Sequence, residues 1–270
     1  EGRKVGIVTL VARRGYVAHL KAYGMAERES NTRMATDSLF RLYSMTKLGK
    51  LPLAYQPGER WVYSVAHDVQ AALVEKLSGQ HFDEFVRQRI FRPLEMNESM
   101  FNVPAEKKSR VPALYSMGRD GKLAVDSSPL GSNYGDQVFG GYSISTTIGD
   151  YALFAQMLLN KGQLNGVRLL SPKTVELMAM NHLPATAMAN GGVGPGTGYG
   201  LGVSVLLNPA ERGNIGSVGE FGWSGAASTH VLIDPKEDLV AIYCTQLMMG
   251  GDFSIRAHFA TMLYQSILGS

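Results

Sequence analysis

Cysteine is almost missing from this sequence, and metal-binding patterns are missing with it. The single cysteine among 270 residues, Cys244, excludes an internal disulfide. It lies in the apolar run 239–244, so we expect a small core residue rather than a nucleophile. The six histidines include no His-Glu-x-x-His pair and have no cysteines beside them. The sequence therefore predicts no metal site, and we expect no cofactor.

Long apolar runs and an excess of one charge are scarce as well. No run approaches the ~20 residues that cross a bilayer, and the formal net charge of +3 comes from scattered lysines and arginines. We therefore expect neither nucleic acid nor a membrane as a partner. The given residues include no signal peptide, which favours a cytoplasmic protein or one whose N-terminus has been trimmed.

Strand-like segments lie at the two ends of the chain, and helix-like segments lie between them. Alternating apolar residues predict one hairpin near each end, over 5–12 with 16–22 and over 229–233 with 239–245. Helical periodicity predicts the following helices: 65–77, 82–90, 151–160, 172–180 and 253–268. This order predicts an α+β fold, in which an antiparallel sheet formed by the two chain ends is flanked by helices and carries a helical insertion.

Two details of this assignment make sharper predictions. The helix over 65–77 has one apolar face, which we expect to be buried: Val69, Ala72, Leu73 and Leu77. The stretch 190–202 is rich in glycine but does not match GxGxxG, so it predicts a flexible loop that leads into a strand over 200–207.

The pattern that carries chemistry is Ser44-Met45-Thr46-Lys47, which follows a strand-like segment at 38–43. Serine and lysine three residues apart share one face of a helix. Serine is a poor nucleophile until a base takes its proton, and a desolvated lysine, or a group poised by it, can supply that base without histidine. Because a chain of this length contains roughly one such pattern by chance, the assignment needs further support.

Two other segments supply that support. Tyr63 stands at the start of a predicted helix, and lysine-type charges near a tyrosine can stabilise its phenolate enough to act as a base. The alternative is a half-buried tyrosine that packs beside Trp61. Gly222-Trp223-Ser224-Gly225-Ala226 precedes a strand, and glycines on both sides of a tryptophan indicate close backbone approach at an edge strand, which can present an amide to an oxyanion.

With these segments the chain resembles the penicillin-recognising serine enzymes, and most closely the family VIII carboxylesterases, which look like class C β-lactamases. Further segments in the same order carry the resemblance: Gln56-Pro57-Gly58, Tyr63-Ser64, Asp68-Val69, Ile90-Phe91-Arg92-Pro93-Leu94-Glu95-Met96, Leu169-Leu170-Ser171-Pro172 and Ile233-Asp234-Pro235.

The resemblance implies a catalytic role for four residues. Ser44 would be the acylated nucleophile, and Lys47 would share protons with Ser44 and Tyr63. Tyr63 is the favoured base, but the sequence leaves open whether it or Lys47 takes the proton. The backbone N–H groups of Ser44 and Ala226 would form the oxyanion hole, whose removal typically raises the barrier by about 3 kcal/mol.

The resemblance also implies a substrate wall formed by Trp223, Ser224, Gly225 and Val65, and here the sequence departs from the lactamases. They have Lys-Thr-Gly where this chain has Trp223-Ser224-Gly225, and asparagine where it has Val65. A wall without that cation and amide favours neutral esters over carboxylated lactams. The implied function is a serine carboxylesterase that hydrolyses short-chain acyl esters through an acyl-enzyme. Two alternatives stay open: a β-lactamase or DD-peptidase-like enzyme, and a non-catalytic ligand-binding module on the same fold.

A last departure concerns the segment after Lys47. In relatives a long buried helix follows the serine, whereas here Leu48-Gly49-Lys50-Leu51-Pro52 leaves barely one helical turn. We expect a break between Lys47 and Pro52, where a segment is omitted rather than deleted. The expected domains are a sheet-containing α/β domain, 1–47 with 198–270, and a helical domain, 48–197, which lacks a segment near 48–51.

Overall fold

The computed structural model describes residues 6–27, 29–41, 55–63, 66–118, 120–126, 138–141, 143–248 and 254–267. Ser44, Lys47, Val65 and the junction at 48–51 lie outside these ranges, so the predictions made for them remain predictions.

Strands and short hairpins account for much of the described chain. The strands are β1 Ile7–Arg13, β2 Tyr16–Tyr23, β3 Met25–Glu27, β4 Thr32–Arg33, β5 Phe40–Arg41, β6 Tyr115–Met117, β7 Leu123–Val125, β8 Ser145–Thr146, β9 Gln163–Leu164, β10 Val167–Arg168, β11 Thr197–Tyr199, β12 Ser204–Leu206, β13 Phe221–Ser224, β14 His230–Asp234 and β15 Leu239–Thr245. The helices are α1 Ala66–Ser78, α2 Phe82–Val86, α3 Ile148–Leu159, α4 Pro172–Met178, α5 Ala185–Ala189, α6 Pro209–Arg212 and α7 Ser254–Gln265. A π-helical turn, Arg87–Phe91, continues α2, and Ala105–Arg110 forms a 3-10 helix.

One sheet joins the two ends of the chain. Its strand order is β11-β12-β13-β14-β15-β1-β2, and every neighbouring pair is antiparallel. β1 lies between β15 and β2, so that Leu10 is paired with Ile242 on one side and with Leu20 on the other. The predicted α+β fold, with a sheet built from both termini, is confirmed. The domain boundaries stay a prediction.

The two faces of this sheet bury different cores. On one face, alternate residues of the central strands, such as Leu10, Ile233 and Ile242, pack in the main core together with α3. On the other face, Leu232 and neighbouring residues pack against α7. α3 begins after an N-cap, because the Thr147 hydroxyl accepts a hydrogen bond from the backbone N–H of Asp150 at 3.2 Å. Cys244 is buried in the main core, as predicted.

Two predictions about individual elements are wrong. The apolar face of α1 is exposed, with Val69 at 43%, Leu73 at 51% and Leu77 at 84% of their accessible surface. Asp68 and Ala71 are buried instead, and the Asp68 carboxylate accepts a hydrogen bond from the backbone N–H of Gly141. A buried polar contact therefore orients this helix rather than its apolar stripe.

The second wrong prediction is the loop over 190–202. It contains β11, which pairs with β12 and extends the sheet. Close backbone approach explains Gly200, because a Cβ there would lie 2.1 Å from the carbonyl oxygen of Met178.

Candidate active site

Tyr63 and Trp223 come together in a cluster of four aromatic rings. The ring centroids of Tyr63 and Trp223 lie 5.6 Å apart, and Trp61 lies within 6.0 Å of Tyr63 and 6.3 Å of Trp223. Tyr199 completes the cluster at 5.4 Å from both tryptophan rings. Tyr63 keeps 37% of its surface exposed. The structure thus brings the predicted base beside the predicted substrate wall.

The backbone of β13 explains how Trp223 is held there. A Cβ on Gly222 would lie 2.0 Å from the carbonyl oxygen of Val231, so only glycine permits this approach between β13 and β14. The predicted edge position is wrong, because β13 lies inside the sheet between β12 and β14. β12 pairs only with Phe221 and Gly222, however, so Trp223 and Ser224 extend past its end.

The turn after β13 presents the predicted oxyanion amide. The N–H of Gly225 donates to the carbonyl oxygen of Thr229 at 2.9 Å, and the carbonyl oxygen of Ala227 accepts from the N–H of Leu247 at 3.2 Å. In the part of the chain that the structure describes, no group accepts a hydrogen bond from the N–H of Ala226. Within those residues the amide is unpaired, as an oxyanion hole requires. Its expected partner, the amide of Ser44, lies outside the described residues.

Ser224 is tied to a histidine that the sequence analysis did not single out. Its Oγ lies 2.8 Å from Nδ1 of His230, directly across the β13–β14 pair. Burial, together with the positive charges of Arg256 and Arg212, lowers the pKa of His230 to about 3. His230 is therefore neutral at pH 7. No motif marks this pair in the sequence, since it arises only from strand register.

Two cavities meet at Tyr63 and Trp223. The larger, of about 710 Å3, lies between the sheet and α3 and is mainly apolar, with Phe154 and Leu158 among its walls. The smaller, of about 410 Å3, lies on the α7 side, where Arg256 is part of its wall. Both Tyr63 and Trp223 line each cavity. A substrate bound at these two residues can therefore extend in two directions.

A second polar pair in the larger cavity also escaped the sequence analysis. Nε2 of His67 lies 3.4 Å from the hydroxyl of Tyr199, and Nδ1 of His67 lies 2.8 Å from Oε1 of Gln70. Burial and, to a lesser extent, the neighbouring Tyr63 raise the pKa of Tyr199 to about 12. His67 belongs to the Tyr63 segment and Tyr199 to the glycine-rich stretch, but only folding makes them neighbours.

The described ranges hold no group of three or more His, Cys, Asp or Glu side chains placed to bind a metal ion. None of the helices that the structure describes is long and apolar enough to cross a bilayer.

Comparison with known proteins gives the family. The beta-lactamase family model matches residues 48–263, which is most of the chain. The chain belongs to the beta-lactamase family. The matched region begins directly after Lys47, and it contains Tyr63, Trp223 and Ala226.

Two curated relatives show how similar individual proteins are to this chain. Protein Rv1367c of Mycobacterium tuberculosis is 31% identical over 216 residues, which are 75% of this chain and 52% of that protein. The lovastatin esterase of Penicillium rubens is 28% identical over 230 residues, 76% of this chain and 55% of that protein. The chain thus spans about half the length of the curated relatives it matches.

The fold itself is shared with solved structures. EstCE1, described as a hydrolase with promiscuous acyltransferase activity, superposes with a TM-score of 0.82 at 19% identity, covering 98% of this chain and 94% of that chain. At this identity the likeness concerns the fold alone.

Proposed function

We propose that this member of the beta-lactamase family is a serine carboxylesterase of the family VIII type, which hydrolyses neutral esters with short acyl groups. The observation that carries the proposal is the contact between Tyr63 and Trp223. The predicted base faces an apolar ring at the position where a lactamase has a lysine that pairs the substrate carboxylate. Among relatives, the lovastatin esterase is named for ester hydrolysis.

The proposed reaction proceeds through an acyl-enzyme. The Oγ of Ser44 attacks the ester carbonyl while Tyr63, or Lys47, takes its proton. The oxyanion that forms accepts a hydrogen bond from the N–H of Ala226. The tetrahedral intermediate collapses, and the alcohol leaves with the proton that the base returns. Water then attacks the acyl group in the same way, which releases the acid and restores the Ser44 hydroxyl.

A β-lactamase or DD-peptidase-like activity is the second candidate, and Arg256 favours it. This arginine lines the smaller cavity together with Tyr63 and Trp223. It offers a cation that a substrate carboxylate could approach from the α7 side, although Trp223 itself cannot pair one.

The test compares kcat/KM for p-nitrophenyl butyrate and nitrocefin on one preparation. We expect the ester to be preferred by at least about tenfold, because an unpaired carboxylate in a partly desolvated cleft costs that much or more in affinity. An Arg256→Gln variant should leave this ratio unchanged. Equal or better turnover of nitrocefin, reduced in Arg256→Gln, would establish the second candidate instead.

Whether the chain is catalytic at all is tested by a fluorophosphonate probe, which labels only an activated serine. The labelled peptide should contain Ser44, and Ser44→Ala should abolish labelling and hydrolysis. A folded protein that is not labelled and hydrolyses neither substrate would be the non-catalytic binding module.

A further inference from the structure

We propose that His67 and Tyr199 bind a hydroxyl group on the larger, apolar part of the ester. The substrate class is then a neutral ester whose larger, apolar part carries a free hydroxyl group and lies in the larger cavity. This inference rests on the proposed function, since it names what that site accepts beside the short acyl group.

The hydrogen bond to Gln70 sets the direction of the whole polar chain. An amide oxygen only accepts, so Nδ1 of His67 donates to Oε1 of Gln70. Nε2 then carries the lone pair and accepts from the hydroxyl of Tyr199. The pKa of Tyr199, raised to about 12, keeps this hydroxyl protonated throughout the neutral range.

The contact between the two side chains is long for a hydrogen bond, so a ligand hydroxyl beside them can compete for both groups. At 3.4 Å the contact between Nε2 of His67 and the hydroxyl of Tyr199 is longer than the about 2.8 Å preferred by a hydroxyl donor. A ligand hydroxyl beside them can accept from Tyr199 and donate to His67, which satisfies both groups. An ether oxygen lacks the proton that His67 needs. The pair therefore selects an alcohol.

The surroundings of the pair determine the rest of the ligand. Both side chains line the cavity of about 710 Å3, whose walls include Phe154, Leu158 and Leu183. A space of this size suits a drug-sized apolar group with few polar atoms. Tyr63 and Trp223 line the same cavity, so the bound group lies next to the proposed reaction centre.

Binding can be measured without turnover, because the sequence has two tryptophans, Trp61 and Trp223, and both line this cavity. The probes are decahydro-2-naphthol and its methyl ether, titrated against intrinsic fluorescence and by calorimetry. We expect the alcohol to bind about tenfold more tightly than the ether, the effect of one well-placed hydrogen bond.

Variants assign this preference to the pair. Tyr199→Phe keeps the ring beside both tryptophans and removes the hydroxyl, and His67→Leu removes the acceptor. In each variant the ratio of the affinity for the alcohol to the affinity for the ether should fall close to the value expected from ligand size alone. The affinity for the ether should stay unchanged. Tyr16→Phe and His258→Leu, both at exposed positions, are the matched controls and should keep the wild-type ratio.

The outcomes are distinct. Equal binding of the two probes to the wild type, a ratio retained in Tyr199→Phe, or no binding of either probe would each overturn the inference. Because the titration does not depend on the nucleophile, it can also be made on Ser44→Ala. A preserved ratio in a protein that fluorophosphonate does not label would mean that the proposed function fails while the hydroxyl site stands.

Discussion

Tyr63 is the one predicted proton acceptor that lies among the described residues. Its ring packs between Trp61 and Trp223, and its phenol borders two cavities. The catalytic role of Tyr63 can therefore be tested by a substitution that removes its hydroxyl and keeps its ring in place.

We predict that Tyr63→Phe lowers kcat for p-nitrophenyl butyrate by about a hundredfold to ten-thousandfold, the usual contribution of a positioned base, with a small change in KM. Combined with Lys47→Ala, the loss should be far from additive, because the two residues act on the same proton. Tyr16→Phe is the control, since Tyr16 is 79% exposed on β2. Near-full activity of Tyr63→Phe would leave Lys47 as the base.

His230 predicts how stability depends on pH. Its pKa of about 3 in the folded protein is below the about 6.5 of a free histidine, so between these values the unfolded chain binds more protons. Stability from this residue is therefore complete above about pH 6.5 and is lost as the pH falls, by at most about 1.4 kcal/mol per unit.

The measurement is urea unfolding at about pH 7 and about pH 4.5. These two conditions span the upper part of the range in which His230 lowers stability. The wild type should lose more stability between these two conditions than His230→Asn. His258→Asn, at an exposed position of α7, should behave like the wild type. An equal loss in wild type and His230→Asn would contradict the assignment.

At the scale of elements, β13 places the candidate site. Its glycine brings it close to β14, and its second half runs past β12 towards the turn that presents the N–H of Ala226. The geometry of the site therefore depends on one position without a side chain.

We predict that Gly222→Ala destabilises the protein and lowers ester hydrolysis together, because the new methyl would lie 2.0 Å from the carbonyl oxygen of Val231 and must displace a strand. Gly149→Ala is the matched control. A Cβ there would meet only the Thr147 hydroxyl, at 3.9 Å, in the first turn of α3. That variant should gain up to about 1 kcal/mol and keep its activity. Thermal unfolding and kcat measure both.

At the scale of the whole molecule, the pairing of β1 with β15 closes the fold. It joins the two ends of the chain in one sheet, and the main core behind it also contains Phe91 and Ile148 from the middle of the chain. A substitution that disrupts the pairing of β1 with β15 should therefore destabilise the whole protein.

We predict that Ile242→Ala, at 1% exposure beside Leu10, costs about 2–5 kcal/mol of stability. Tryptophan fluorescence reports the candidate site and far-UV circular dichroism reports the backbone, and their unfolding midpoints should fall together. Val17→Ala, on the exposed side of β2, should change either midpoint little. Separate midpoints in Ile242→Ala would mean that the site and the sheet unfold independently.

The sequence by itself determined the elements whose causes are local. Alternating apolar residues around a short turn specified both hairpins, and the Thr147 cap specified the start of α3. The order of these elements was enough for the α+β fold. For the site, the residue types and the family resemblance were all that could be read before folding. Ser44 and Lys47 remain predictions on that basis.

Only the tertiary structure decided which residues meet. It placed Tyr63 against Trp223, made a pair of His67 and Tyr199, and left the apolar face of α1 exposed. These contacts join segments far apart in the chain, and their geometry follows from strand register and from which surfaces the rest of the core covers. Local periodicity carries no information on either, so a helix face or a lone histidine cannot be assigned before its neighbours are known.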